Sequence, residues 1–275
     1  MKYRIAILAA AILSAVACSR PGTNDRAFEW TNRLPPGAVV HLRDGTGDIV
    51  VRRSPDQSVN VTGGVQWKHS RSSDVKFQVN QVGNDYYVCA MWRASGKCGD
   101  KGYHGRQTNG FLTMFSLFHR SSDARADFVA ELPANVVVDA KTDFGSVTVD
   151  GLAAGVTARA ATGTVTANNV SGPLSLSTAT GNVNLTTDSL SAADSVHLQT
   201  TNGTVRAELP ANLQGAFDLS VVNGTVTSAF PLGAAPRSRV GRHLQGQIGA
   251  SNRVVKMRAV NGTVSVTTRG THAEH

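Results

Sequence analysis

The sequence predicts an all-β chain wound as a single-stranded β-solenoid with a disulfide-containing insert. Three observations carry this expectation. A Gly-x-Val motif recurs seven times, apolar and polar residues alternate strictly around each copy, and the composition suits strands and turns. Aromatic residues make up only 6% of the chain and Gly reaches 27 residues, with Val, Ala, Thr, Ser and Asn filling the rest. Such a composition favours pleated, tightly turning backbone over helices.

The first residues set the compartment. Met1-Lys2-Tyr3-Arg4 is a basic start, and Ile5 to Val16 is an apolar stretch too short to span a bilayer comfortably. Residues 1–17 therefore read as a signal peptide. Ala15-Val16-Ala17 fits ordinary signal-peptidase cleavage, and the same small residues before Cys18 fit a lipobox, although Ala15 stands where a lipobox usually has Leu. Cysteine arithmetic favours the lipobox. Of Cys18, Cys89 and Cys98, the last two can pair if Cys18 carries lipid, and no thiol is left over in an oxidising compartment. Residues 18–27, with Pro21, Gly22 and Asn24, read as a tether from the lipid anchor. The expected location is the cell envelope, anchored to the outer membrane.

The repeat occupies most of residues 28–269. Its copies begin at Gly47, Gly145, Gly163, Gly181, Gly203, Gly224 and Gly262, and from Gly145 onward the spacings are 18, 18, 22, 21 and 38. Seven residues before each Gly stand Val40, Val138, Val156, Leu174, Val196, Phe217 and Val255. Five before stand Leu42, Ala140, Ala158, Leu176, Leu198, Leu219 and Met257, with His41, Asp139, Thr157, Ser175, His197, Asp218 and Lys256 between the two sets. Period-two alternation makes each segment a strand with one buried face, and the Gly marks a bend into a second strand. Asn202, Asn223 and Asn261 precede the Gly in the last three copies, an Asn-Gly pair suited to positive φ at a sharp corner. Coils with matching inward columns bury those columns only by stacking, with strands about 4.8 Å apart. The Asn-x-Ser/Thr matches such as Asn202-Gly203-Thr204 read as turns of this repeat rather than glycosylation sites.

Between the first two copies the register breaks. Asp74 to Met91 still alternates like strands, but an insert at about 89–120 does not. Cys89 and Cys98 are expected to form a disulfide there; a metal site with His104 or His119 has no usual zinc spacing to support it. Trp92, Tyr103, Phe111, Phe115 and Phe118 crowd this insert and are the candidate binding surface. The run from Gly110 to His119 carries apolar residues at helical spacing, and a cap over an open end of the solenoid is the favoured alternative for it. Residues 270–275 form a short tail.

Catalytic groups are not gathered. Ser175, His197 and Asp218 share an outward column in what would be three successive coils, yet no tight turn beside Ser175 offers an oxyanion hole. The outward acids Asp139, Asp150 and Asp218 make no pair at glycosidase spacing, and the glycine motifs mark strand corners rather than phosphate loops. No cofactor or metal is expected. The formal net charge of +8 points to anionic partners, but Lys and Arg form no cluster of the kind that binds nucleic acid.

The Gly-x-Val strands, with Phe128-Val-Ala-Glu-Leu-Pro-Ala-Asn-Val-Val-Val138 and the segment Gly246 to Val266, resemble the bacterial putative-adhesin family over roughly residues 38–267. The resemblance implies a right-handed single-stranded solenoid in the cell envelope and supplies no catalytic residues. The expected function is non-enzymatic: a membrane-tethered lipoprotein presenting a solenoid surface to an anionic glycan or a protein partner. The alternatives are a glycan-active β-helix enzyme, of the polysaccharide lyase or hydrolase type, and a purely structural, self-associating envelope protein.

Overall fold

The computed structural model describes residues 26–35, 37–67, 75–92, 97–100, 124–191, 194–234 and 241–269. These residues are all-β, and their strands join in one sheet that is bent along a line of glycines. We call the part before the bend wall A and the part after it wall B.

The central layers follow the repeat as expected. In wall A, β8 (Val137–Phe144), β10 (Val156–Thr162) and β12 (Leu174–Thr180) run parallel, and in wall B so do β9 (Val147–Asp150), β11 (Val165–Asn168) and β13 (Val183–Thr186). The long strands β14 (Val196–Pro210), β15 (Gly215–Ser228) and β18 (Val254–Arg269) pass through the bend and serve both walls. Val138, Val156, Leu174, Val196, Val255 and Phe217 form one buried inward column, and Val147, Val165, Val183, Val205 and Val264 another. Each fully buried Val or Leu is worth about 1.5–3 kcal/mol, so the stacked columns are the main source of stability.

The order of stacking departs from the order of the chain. The last copy, β18, lies between β14 and β15, pairing Lys256 with His197 on one side and with Asp218 on the other. Beyond β15, the antiparallel strand β17 (Arg242–Ile248) covers the wall A edge and is paired in turn with β16 (Gly233–Ala234). The chain thus leaves the stack at β15, turns back as β17, and inserts its final strand one layer inward. Burial agrees with that order: Val264 and Val266 are buried, while the corresponding Val226 and Ser228 of β15 are only partly so.

At the other end the first copy, β2 (Val39–Thr46) and β3 (Ile49–Arg53), stacks directly on β8 and β9 across nearly a hundred residues of sequence. A further layer comes from the flanks of the excursion: β6 (Asp85–Trp92) pairs with β2, and β7 (Arg125–Leu132) with β3. Antiparallel strands β1 (Arg26–Asn32), β4 (Val59–Gln66) and β5 (Val75–Val82) then close this end. Phe77 bridges Phe28 and Phe128 with ring centroids 4.9 and 5.3 Å away, and Trp30 lies beside Tyr86. Among the described residues, these aromatics and antiparallel strands form the cap. The run 110–119 lies outside the described residues, as do residues 1–17, Cys18 and residues 270–275.

The bend is set by glycine for two reasons. Gly145, Gly163, Gly181, Gly203, Gly224 and Gly262 have φ between 141° and 149°, a region that L side chains avoid. A Cβ on any of them would also lie 1.7–2.0 Å from the carbonyl oxygen of the corner glycine in the adjacent layer. Those contacts run Gly47, Gly145, Gly163, Gly181, Gly203, Gly262, Gly224, which reproduces the stacking order independently of the strand pairing. The preceding Asn residues do not share the positive φ; the one non-glycine residue so described is Asn169. They form a side-chain ladder instead: Asn261 Nδ2 donates to Asn202 Oδ1 at 2.8 Å, and Asn223 Nδ2 donates to Asn261 Oδ1 at 2.8 Å. Just inside the bend, the hydroxyls of Thr142, Thr178 and Thr200 donate at 3.0 Å to the corner carbonyls of Gly47, Gly163 and Gly181.

Candidate binding face

The outward side chains of walls A and B differ in character. On wall A, one column runs His41, Asp139, Thr157, Ser175, His197, Lys256, Asp218, and the next runs Arg43, Lys141, Arg159, Ser177, Gln199, Arg258, Ser220. These two columns carry five Lys or Arg side chains and two carboxylates, and Asp143 lies on the same outward side one step nearer the bend. On wall B, Arg52, Arg53, Arg125, Arg206 and Arg269 stand against Asp48, Asp127, Glu131, Asp150 and Glu208, among Thr, Asn and Ser. The pleat explains this segregation: period-two alternation sends every second residue of a coil outward, and the bend divides the outward set between two surfaces.

The first part of wall A is covered. Cys89 and Cys98 are joined, with Cα atoms 5.6 Å apart, and residues 97–100 lie over β2 and β6. Arg43, at 1% exposure, fastens that loop. Its guanidinium donates to Asp100 Oδ1 at 2.9 Å, to Asp139 Oδ2 at 2.6 Å and to the carbonyls of Asp139 and Leu42 at 2.6 and 3.2 Å. Asn80 Nδ2 donates to the Cys98 carbonyl at 3.0 Å. His41 stacks on Tyr87, centroids 4.3 Å apart, and lies 3.2 Å from Asp139. Burial pushes the Asp139 carboxyl up, but the hydrogen bonds from His41 and Arg43 and the nearby Arg43 and Arg159 charges outweigh it and hold the group at about 2. Burial, with Asp85 and Asp100 close by, pushes the Tyr87 hydroxyl up.

Among the described residues, nothing covers the second part of wall A. Two adjoining depressions occupy it. The first, of 310 Å³, is lined by Ser175, Ser177, His197, Gln199, Lys256 and Arg258. The second, of 390 Å³, shares Gln199 and Arg258 and adds Asp218, Ser220, Arg242, His243 and the exposed Val222 and Val260. Asp218 is engaged from two sides, 2.8 Å from His243 Nε2 and 3.9 Å from Lys256 Nζ. Other depressions lie on the returning turns, around Arg253 and around Arg33.

This geometry separates the sequence-level triad. Lys256 lies between His197 and Asp218, and Asp218 is bound to His243, so Ser175, His197 and Asp218 are not in successive layers. Asp139 and Asp218 share a column but stand five strands apart, and Asp150 is on wall B. Trp92, from the candidate aromatic surface, ends β6 half-buried, its ring facing Gly45 and packed on the core. Tyr103, Phe111, Phe115 and Phe118 lie outside the described residues, as do His104 and His119. Among the described residues no group of three His, Cys, Asp or Glu side chains is placed to hold a metal ion, and no helix is long and apolar enough to cross a membrane. Lys256 and Arg258 were not singled out from sequence because their neighbours depend on the inserted position of β18.

A family model, Toastrack DUF4097, matches residues 69–267, well over half of the chain. The chain belongs to the Toastrack DUF4097 family. The matched span leaves out β1 to β4, although β2 and β3 form a full layer of the stack. Among solved structures, a putative cell adhesion protein from Clostridium sporogenes is similar at 13% identity and a TM-score of 0.50, over 89% of this chain and all of the other. A putative adhesin from Bacteroides fragilis is similar at 11% identity and a TM-score of 0.42, over 88% of this chain and 97% of the other. At such identities the first likeness speaks to the fold. No curated protein matches the chain significantly.

Proposed function

We propose that this Toastrack domain is a non-enzymatic, lipid-anchored scaffold of the cell envelope whose open part of wall A binds a ligand or mediates adhesion. The observation that carries this reading is the difference between the walls. Wall A concentrates cations beside two adjoining depressions, while wall B bears a near-neutral carpet of Thr, Asn and Ser. A rigid stack of columns holds such side chains in fixed rows, which limits the ordering cost of binding. The signal peptide and Cys18 add the tether, and the cell-adhesion description of the Clostridium protein is in keeping with an envelope location.

Two measurements test the reading. A Cys18→Ala variant is expected to move from the membrane fraction to the soluble fraction after export; continued membrane partition refutes the anchor. Beads coated with the chain are expected to adhere to isolated envelope material. Adhesion should fall when Lys256 and Arg258 are both changed to Gln, and persist when Arg52 and Arg206 on wall B are changed. Equal loss from both pairs, or turnover of a polysaccharide by the purified chain, refutes a wall A binding scaffold.

A further inference from the structure

The two depressions of wall A form one trough along the stacking axis, and its chemistry narrows the ligand. Ser175, His197 and Lys256 stand in one row; Ser177, Gln199 and Arg258 stand in the next. Neighbouring residues within a row are one strand spacing apart, about 4.8 Å, and the two rows are two residues apart along the strand, about 7 Å. From β12 to β15 the trough spans three such steps, about 14 Å. It is a narrow surface repeating along one direction, suited to an extended chain.

Charge gives the sign. Asp218 is already engaged by His243 and Lys256. Arg258 and His197 are exposed and have no ion pair among the described residues. Arg242 extends the positive charge into the second depression. A bound chain therefore meets positive charge that no described side chain neutralises. Hydroxyl and amide groups at Ser175, Ser177 and Gln199 supply the uncharged hydrogen bonds that sugar hydroxyls require. Val260 and Val222, 39% and 42% exposed, give the trough an apolar margin for sugar C–H faces. A single-stranded nucleic acid would call for aromatic platforms on which bases stack, and among the described residues no Phe, Tyr or Trp lines either depression.

We propose that this trough binds a stretch of acidic polysaccharide, a glycan carrying carboxylates, laid along the stacking axis so that one carboxylate meets Lys256 and Arg258, which face each other across the two rows within the β18 layer. The proposal rests on the reading of wall A as a binding surface and deepens it by naming the ligand class.

The test uses the full chain and polygalacturonate fragments as probe, with dextran of similar length and single-stranded DNA for comparison. Polygalacturonate is expected to bind and to weaken with added salt, and dextran is expected not to bind. The Lys256→Gln/Arg258→Gln variant should bind polygalacturonate at least tenfold more weakly, and Arg258→Glu should do the same. The Arg52→Gln/Arg206→Gln variant, with the same charge removed from wall B, should bind within twofold of the parent. These side chains lie on the surface, and an unchanged unfolding midpoint verifies that each variant folds. Equal weakening by both double variants overturns the proposal, as diffuse charge would then explain binding. So does dextran bound as tightly as polygalacturonate, or DNA bound more tightly and lost in the wall A variant. If polygalacturonate fails to bind while envelope adhesion still depends on Lys256 and Arg258, the ligand class is wrong and the binding face stands. If adhesion is independent of them as well, both readings fall.

Discussion

Gly203→Ala is the sharpest test of the stacking arrangement. Gly203 has φ of 144°, and a Cβ there would lie 1.9 Å from the Gly181 carbonyl oxygen and 2.8 Å from its carbon. The obstacle is backbone in the adjoining layer, so no side chain can rotate away. To restore ordinary contact the two layers must part by roughly 1 Å at the corner, beyond what ladder hydrogen bonds tolerate. The bonds at risk are Gly181 N–H to Asn202 O at 2.9 Å, Thr204 N–H to Asn182 Oδ1 at 3.0 Å, and the Thr200 hydroxyl to Gly181 O at 3.0 Å. At about 0.5–1.5 kcal/mol each, their loss costs about 2–4 kcal/mol. Holding alanine at this φ adds about 1–3 kcal/mol. The total, about 3–7 kcal/mol, is a large share of a typical domain's stability. Urea unfolding followed by far-ultraviolet circular dichroism measures it. Gly64→Ala is the control, since no atom lies within 4 Å of a Cβ there; it should shift stability by less than about 1 kcal/mol. Gly224→Ala should cost less than Gly203→Ala, because β15 is the last parallel layer and can lift away from β18. If Gly203→Ala costs no more than Gly64→Ala, the close approach of corner glycines is wrong.

Three further outcomes follow from buried polar groups and the insert. Asp44 occupies the inward column held elsewhere by Thr142, Thr178 and Thr200. Burial raises its pKa well above the ordinary value, against the hydrogen bond from Thr46 N–H. The folded state then holds a proton that the unfolded state releases, so stability falls as pH rises above about 4 and levels off past the folded pKa; Asp44→Asn should be more stable than the parent at neutral pH and flatten that slope. Asp139 behaves oppositely. Its carboxyl is held at about 2, so its contribution is present above about pH 4 and is lost as pH falls towards 2; Asp139→Asn, which leaves buried Arg43 only the exposed Asp100 carboxylate, should cost about 1.5–3 kcal/mol in neutral urea titrations. Reducing the Cys89–Cys98 bond, which closes a sequence separation of 9, should lower stability by about 2–3 kcal/mol and expose residues 97–100 to proteolysis; unchanged protease resistance would show that Arg43 and Asn80 hold the loop alone.

How much was legible beforehand differs from one element to the next. Period-two alternation around seven glycines was enough to assign the inward and outward faces of nearly every central strand, because the pleat leaves one choice once one face is buried. The Cys89–Cys98 pairing was likewise open to cysteine arithmetic. The layer order was not. Each copy has the same register, so nothing in the columns says whether β18 follows β15 or slips beneath it. The one sign was Ser228, a polar residue in the inward column that holds Val149, Ala167, Leu185, Ala207 and Val266 elsewhere; a terminal layer tolerates it and an interior layer does not. The layer built from β6 and β7 was hidden for a related reason, since its two halves come from opposite ends of the excursion and carry no corner glycine.

The sequence by itself determined the chemistry of each column: apolar inside, Thr and Asn along the bend, polar and charged residues outward. That follows from local geometry, where neighbours in the chain decide which side of the pleat a residue takes. Tertiary structure alone decided which columns became neighbours across layers. Inserting β18 places Lys256 and Arg258 beside His197 and Gln199, separates His197 from Asp218, and creates the trough. Strand pairing is specified by hydrogen bonds and buried area summed over whole layers, and equal registers make several orders compatible with the same sequence pattern until the entire stack and its caps are in place.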